Sequence, residues 1–254
     1  LTMTLGKTAK PSNMGRSGRR VQQFQQFVVR DDACGMKVGT DALILGAWAG
    51  ESMVQPKHIL DVGTGSGILA LMMAQRFPSA RVDAVELEPD AAAQAFKNAQ
   101  KSPFADHIVV HAQAVQAYAG PACDLVVCNP PFFHDHPKSE DRKRNLARHD
   151  DTLPLPTLFR QAKRVLKAGG ELAFIFPSDR DQEVLARGKE AGMEAKEHIR
   201  LRANPEHDVV RSLWSWHQNG ATVASSTEIR NIEDKGHQTW APWLSKRLSG
   251  FLLP

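Results

Sequence analysis

Two short stretches carry residues whose types and spacing could do chemistry. The first is Asp61-Val62-Gly63-Thr64-Gly65-Ser66-Gly67, which follows the apolar pair Ile59-Leu60 and runs directly into Ile68-Leu69-Ala70-Leu71-Met72-Met73. A strand, a glycine turn and a helix in that order suit a nucleotide. Glycines permit a sharp turn and close approach of a ligand, and the start of a helix offers unpaired N–H groups. The glycine spacing then separates the nucleotides. A dinucleotide fingerprint needs glycine at 63, 65 and 68, and position 68 is Ile; a phosphate-cradling loop needs Gly-Lys-Ser/Thr after the turn, and none follows. Glu86 stands 25 residues after Asp61 at the end of the next apolar run, where a carboxylate can accept both hydroxyls of a ribose. That contact fits any nucleoside, so it leaves the ligand's identity open. The second stretch is Asn129-Pro130-Pro131-Phe132, at the end of the run Asp124-Leu125-Val126-Val127-Cys128. Ligands of open α/β sheets sit at the carboxyl ends of the strands, which is where this tetrad falls.

The acid followed by Gly-x-Gly-x-Gly resembles motif I of the S-adenosylmethionine-dependent methyltransferases. The tetrad resembles the Asn-Pro-Pro-aromatic motif of those that modify exocyclic or amide nitrogens. The resemblance implies S-adenosylmethionine as cofactor, with Asp61, Gly63, Gly65, Gly67, Glu86 and Asn129 among the residues around it. It also implies that Asn129 Oδ1 and the Pro130 carbonyl accept hydrogen bonds from the target NH2, with Phe132 completing the catalytic set. Such a nitrogen is a poor nucleophile because its lone pair is delocalised into the ring or carbonyl; two acceptors can draw it toward tetrahedral geometry. Pro130 and Pro131 fix φ, so the carbonyl direction is set before substrate arrives. Phe132 offers a flat face on which a base can stack, worth about 1–3 kcal/mol. Transfer from a sulfonium is an in-line displacement that depends mostly on alignment. No metal is needed, and His134, His136 and His149 read as loop or RNA-facing residues rather than ligands. One departure stands out. Related methyltransferases usually place an acid after the third strand to hold the adenine amine, but His111-Ala112-Gln113-Ala114-Val115 has Ala114 there, so Gln113 or a backbone carbonyl must take over that contact.

The elements that position these groups are legible as an alternation of short apolar runs with helical patterns, the signature of a parallel sheet covered on both faces. Strands are predicted at 58–62, 81–86, 108–111, 125–128 and 171–176. Helices are predicted at 67–76, 89–101, 155–166 and 179–191, the second opened by Pro89 and Asp90. After Gly192 the runs 194–201 and 209–216 are joined by too few residues for a helix, so they pair as a hairpin and one late strand runs antiparallel. The expected architecture is α/β: a Rossmann-like class I methyltransferase with a mostly parallel seven-stranded sheet, one antiparallel strand and helices on both faces. Upstream, 24–29 reads as a strand, and Thr40 can cap a helix with Leu43, Ile44, Ala47 and Trp48 on one face. Downstream lie a polar strand-like piece at 227–230 and a stripe of Trp240, Trp243, Leu244 and Leu248 that predicts a C-terminal helix.

The 254 residues are 42% hydrophobic and 24% charged, which excludes a disordered or fibrous chain. The longest apolar runs fall far short of a bilayer span and no apolar signal core opens the sequence, so a soluble, cytoplasmic protein is expected. Three cysteines, Cys34, Cys123 and Cys128, are too few for a disulfide framework. The formal charge of +4 is uneven: residues 1–20 hold Lys7, Lys10, Arg16, Arg19 and Arg20 with no acid, leaving 27 basic against 28 acidic side chains in the rest. This segment is expected to be a disordered basic tail, either an inert terminus or an RNA-contacting arm. A single domain is expected over 21–254, with a cap segment at 21–57, a core at 58–216 and an extension at 217–254. The stretch 134–149, with Lys138, Arg142, Lys143, Arg144 and Arg148, reads as a solvated loop or as a phosphate-contacting cap beside the tetrad.

Asn-Pro-Pro-aromatic enzymes act on adenine N6, guanine N2 or glutamine side chains. The run from Cys34 through Lys37, Thr40 and Asp41 to Trp48 resembles the bacterial tRNA1(Val) adenine-37 N6-methyltransferase family, and the likeness extends from about Phe24 through the antiparallel hairpin. It implies methylation of the adenine beside a tRNA anticodon, tRNA as partner, and Lys37, Thr40 and Gln113 near the cofactor; a monomer is favoured. An unpaired loop base can be splayed out at less cost than one in a duplex. Guanine-N2 and glutamine enzymes are the alternatives, as is an idle module that binds cofactor or RNA without transfer.

Overall fold

The computed structural model describes residues 21–131, 153–218, 226–234 and 239–253. The basic segment 1–20, Phe132 and the stretch 134–149 lie outside the described residues. The elements in chain order begin with β1 (Val21–Gln23), β2 (Val28–Arg30), α1 (Thr40–Trp48), β3 (His58–Val62), α2 (Ile68–Arg76), β4 (Arg81–Glu86), α3 (Pro89–Gln100) and β5 (Ile108–Ala112). They continue with β6 (Cys123–Cys128), α4 (Leu155–Val165), β7 (Leu166–Pro177), α5 (Asp181–Glu190), β8 (Glu194–Arg202), β9 (Val209–His217), β10 (Ser226–Asn231) and α6 (Pro242–Leu248).

The central sheet has the order β10-β8-β9-β7-β6-β3-β4-β5. All neighbours are parallel except at β9, which is antiparallel to both β7 and β8. The order reverses between β3 and β6, so a crevice opens at their carboxyl ends, where the glycine loop and Asn129 lie. Seven strands therefore stand as expected, and an eighth extends the sheet. The expected count of seven is corrected by β10, which runs parallel along β8 from Ser226 opposite Glu197 to Asn231 opposite Arg202. This edge strand is the polar strand-like piece expected at 227–230.

Side chains alternate across the sheet with the period of two that strands impose. Ile59, Leu125, Val127, Ala173, Ile175 and Leu213 face a cluster built with α1, α2 and α6, while Leu60, Val126, Cys128, Leu172, Phe174 and Trp214 face one built with α4 and α5. Strands buried on both sides explain the near-continuous apolar runs.

Three local expectations are corrected. The predicted strand at 24–29 is a hairpin: Phe24 N donates to Phe27 O at 2.9 Å, and the two rings stack 4.7 Å apart. The C-terminal segment imposes this turn, since Gln25 N donates to Phe251 O and Gln25 Nε2 to the carbonyls of Ser249 and Leu252. Thr40 is the first helical residue and does not cap; Gly39 occupies the cap position without a side-chain bond. Finally, α1 has no solvent face, because Ala42 through Trp48 are all buried between the sheet, α2 and α6. No helix among the described residues is long and apolar enough to cross a membrane.

Candidate active site

The glycine loop leaves β3 and enters α2 with Gly63, Gly65 and Gly67 at φ of 70°, 55° and 82°, a region that side chains disfavour. A Cβ on Gly63 or Gly65 would project into open space, whereas one on Gly67 would press on Ala95 of α3 at 3.3 Å. The first two glycines thus keep a cavity clear, and the third lets two helices approach. Asp61, wholly buried at the end of β3, holds the loop from beneath: its Oδ2 accepts from Thr64 Oγ1 at 2.5 Å and from Ala70 N at 3.0 Å. Ala70 is in the first turn of α2, so the strand carboxylate satisfies an otherwise unpaired helix N–H. Its other oxygen is buried with no partner among the described residues. Burial, reinforced by the charge of Glu86, pushes the Asp61 carboxyl up to about 7 against the pull of those two hydrogen bonds.

Glu86 closes the loop from the side. Its Oε2 accepts from Gly65 N at 2.8 Å and its Oε1 from Glu88 N at 3.0 Å. Both oxygens already have backbone donors, so hydroxyls of a ribose would use the remaining lone pairs. Asn98 of α3 joins the loop to the N-terminal hairpin, donating to Ser66 O at 2.8 Å and to Arg30 O at 2.7 Å.

A cavity of about 460 Å³ opens beside these groups, lined on one side by Gly63, Gly65 and Glu86 and on the other by Gln113, Ala114, Val115 and Gln116. Ala33, Cys34, Gly35 and Met36 form a third wall, and Pro131 and Leu153 border it from the tetrad side. Of the residues read as cofactor ligands, Gly63, Gly65, Glu86 and Gln113 line this cavity. Asp61, Gly67, Lys37, Thr40 and Asn129 do not. Lys37 instead shapes the third wall: its Nζ donates to Asp31 O at 3.1 Å, while Val38 N donates to Asp31 Oδ2 at 3.0 Å, so the 31–38 loop is drawn closed around buried Asp31. Glu88 and Asp90 also line the cavity and could have been read from their place just after Glu86; the 33–36 wall has no periodic signal. The Cys34 thiol, pushed up to about 11 chiefly by burial, is neutral near pH 7.

Asn129 follows β6, with Pro130 buried behind it. Its Oδ1 is buried and has no hydrogen-bond partner among the described residues. An unpaired buried acceptor costs about 1–3 kcal/mol, a cost that a hydrogen bond from a bound NH group would remove. The cavity and this acceptor together suit a nucleoside-bearing donor on the glycine side and an NH-bearing acceptor molecule on the tetrad side.

Residues 38–189 match the family described as methyltransferase small domain. The chain is 41% identical over 201 residues to a tRNA1(Val) (adenine(37)-N6)-methyltransferase of Porphyromonas gingivalis, covering 76% of this chain and 79% of that one. It is 37% identical to the protein of that name from Flavobacterium johnsoniae, covering 82% and 89%. Among solved structures, a predicted O-methyltransferase from Agrobacterium tumefaciens superposes with a TM-score of 0.60 at 19% identity, over 83% of this chain and 96% of that one. A class I S-adenosylmethionine-dependent methyltransferase from Listeria monocytogenes gives 0.54 at 14% identity, over 82% and 66%. These two likenesses concern the fold.

Proposed function

The chain belongs to the methyltransferase small domain family and, within it, to the tRNA1(Val) (adenine(37)-N6)-methyltransferases, and from that premise we propose that it methylates N6 of adenine 37 in tRNA1(Val) with S-adenosylmethionine. The observation that carries this reading is Asn129 Oδ1 at the carboxyl end of β6, without a partner among the described residues and two positions before Pro131, which borders the cavity that Gly63 and Gly65 keep open.

When bound, the cofactor supplies an electrophilic methyl group on a sulfonium. The chain's own residues do the rest. Gly63 and Gly65 would leave room for its methionine end, Glu86 would accept from its ribose, and the 113–116 segment would wall in its purine. Asn129 Oδ1 and the Pro130 carbonyl accept the two hydrogens of the target amine, which turns its lone pair out of the ring plane and toward the cavity. No basic group is assigned to the proton, which leaves the nitrogen after transfer and passes to solvent. A neutral amide acceptor suits this order of events: it orients the amine without competing for its proton. Rate then rests on alignment of nitrogen and methyl.

The test is incubation with labelled S-adenosylmethionine and separate pools of tRNA, rRNA, DNA and protein, followed by mass spectrometry of the product. N6-methyladenosine at position 37 of tRNA1(Val) is the expected result. Label in guanine of rRNA or in glutamine of protein would overturn the substrate assignment; no label in any pool would make the chain an idle binder.

A further inference from the structure

We infer that Arg164 is a positioning residue for the purine end of the cofactor cavity, standing in for the acidic contact that Ala114 lacks. The inference rests on the cofactor reading above. Val115 and Gln116, which line the cavity, belong to a single turn of 3₁₀-helix over Val115–Ala117. So short a turn has little stability of its own, since it fixes several dihedrals for very few hydrogen bonds. Its internal bonds are Ala117 N to Ala114 O at 2.9 Å and Tyr118 N to Val115 O at 3.1 Å.

Arg164, on the far side of the chain in α4, supplies what the turn lacks. Its Nη1 donates to Tyr118 O at 2.9 Å and its Nη2 to Val115 O at 3.0 Å, while Nε donates to Gln161 Oε1 at 2.7 Å. One guanidinium thus closes the carbonyl end of the turn, with its direction fixed by a side chain one helical turn earlier. All three partners are neutral, so this is a geometric clamp rather than an ion pair. From behind, buried Tyr118 anchors the same turn by donating to Asp83 Oδ2 at 3.1 Å. Where a carboxylate reads the adenine amine, the wall can be loose, because one strong directional contact sets the register. Ala114 offers no such contact, so recognition falls to backbone and to Gln113, and backbone recognises only when it is held still. A planar fork offers two donors at a fixed spacing to the two carbonyls, whereas an ammonium is a point charge on a flexible stem that fixes no such geometry.

Calorimetry with S-adenosylhomocysteine and its inosine analogue tests this on the wild type and on Arg164→Ala, Arg164→Lys and Arg160→Ala. Arg160, one turn earlier on α4, donates to Thr157 of its own helix and to no residue of the 115–118 turn among the described residues, and serves as control. The wild type should prefer the adenine compound. Arg164→Ala should raise the dissociation constant for S-adenosylhomocysteine about 10-fold, as expected for two lost charged-donor bonds, and should lower the adenine-to-inosine preference. Arg164→Lys should behave like the alanine variant, and Arg160→Ala like the wild type, with turnover at saturating cofactor unchanged in all. Unchanged affinity and preference in both Arg164 variants would overturn the inference. So would an equal loss for both ligands, which marks general loosening, or a wild type that does not distinguish them. A wild type that binds neither ligand would instead overturn the cofactor reading itself.

Discussion

The two sides of the crevice are built on opposite plans. On the glycine side, carboxylate oxygens are tied to the loop before any ligand arrives: Asp61 Oδ2 holds the Thr64 hydroxyl and Ala70 N, and Glu86 holds Gly65 N and Glu88 N. On the tetrad side, Asn129 Oδ1 is left without a described partner. The first arrangement makes a rigid cradle, which favours binding by lowering the ordering required on association. The second leaves a hydrogen bond to be completed by substrate, which favours reaction over storage of the cofactor. Stability and function therefore part company between the ends of the neighbouring strands β3 and β6, and substitutions on the two sides should separate them.

The largest effect is expected at Asn129. Asn129→Ala should slow single-turnover methyl transfer at least 10²-fold, about 2.7 kcal/mol of barrier, with S-adenosylhomocysteine affinity nearly unchanged. The same variant should melt no lower than the wild type, because it deletes an acceptor that has no partner among the described residues. A near-normal rate, or a clear loss of thermal stability, would show that Asn129 belongs to the rigid side. Next in size is Gly65→Leu, which places a side chain in the open cavity at a positive φ. Cofactor affinity should fall at least about 30-fold, roughly 2 kcal/mol, in a protein that still folds. Equal affinity by calorimetry would remove the glycine loop from the binding site.

Much of this contrast was legible in the residues, and the limits have physical causes. Strands β3 and β4 came out end for end because each has an apolar stretch interrupted only by a single buried aspartate, Asp61 or Asp83, with glycine or proline close to its boundaries. The hairpin at β1 and β2 did not, because its turn is set by Phe251 and Leu252, more than two hundred residues away, and no local pattern records that. At the site, Gly63, Gly65 and Glu86 were readable from spacing. Lys37 is expected beside the cofactor by resemblance, and spacing alone does not show that its amine donates to Asp31 O and shapes the cavity's third wall. Side-chain direction is decided by tertiary contacts that spacing does not carry.

A smaller effect is expected at Glu86, which belongs to both plans: it braces Gly65 and faces the cavity. Glu86→Gln keeps one acceptor oxygen and removes the charge, so cofactor affinity should weaken about 10-fold, as for a charged hydrogen bond made neutral, with turnover at saturation little changed. A purely structural Glu86 would leave affinity alone and lower the melting temperature.

The substitution expected to disturb affinity and rate least is the most specific to the rigid side. Burial raises the Asp61 carboxyl to about 7, against roughly 3.9 for an aspartate in an unfolded chain. The folded protein therefore holds this proton more tightly than the unfolded chain does. Stability from this group is fully present below about pH 4 and is lost as pH rises through about 7. Asp61→Asn has the same shape and does not titrate, so it resembles the protonated wild type at every pH. The difference in melting temperature, variant minus wild type, should rise from pH 4 to pH 7 by roughly 3 °C or more and level off above it. Any fixed cost of burying an amide NH2 where the unpaired Oδ1 now lies would shift that curve as a whole and leave its slope. Because Asp61 does not line the cavity, S-adenosylhomocysteine affinity at pH 6 should change little. A flat or falling difference across this range would mean that Asp61 stays ionised in the fold, its charge carried by Thr64 and Ala70. A large loss of affinity with the expected slope would mean that the loop transmits the strain of Asp61 to the cavity, and the cradle would be less rigid than its hydrogen bonds make it.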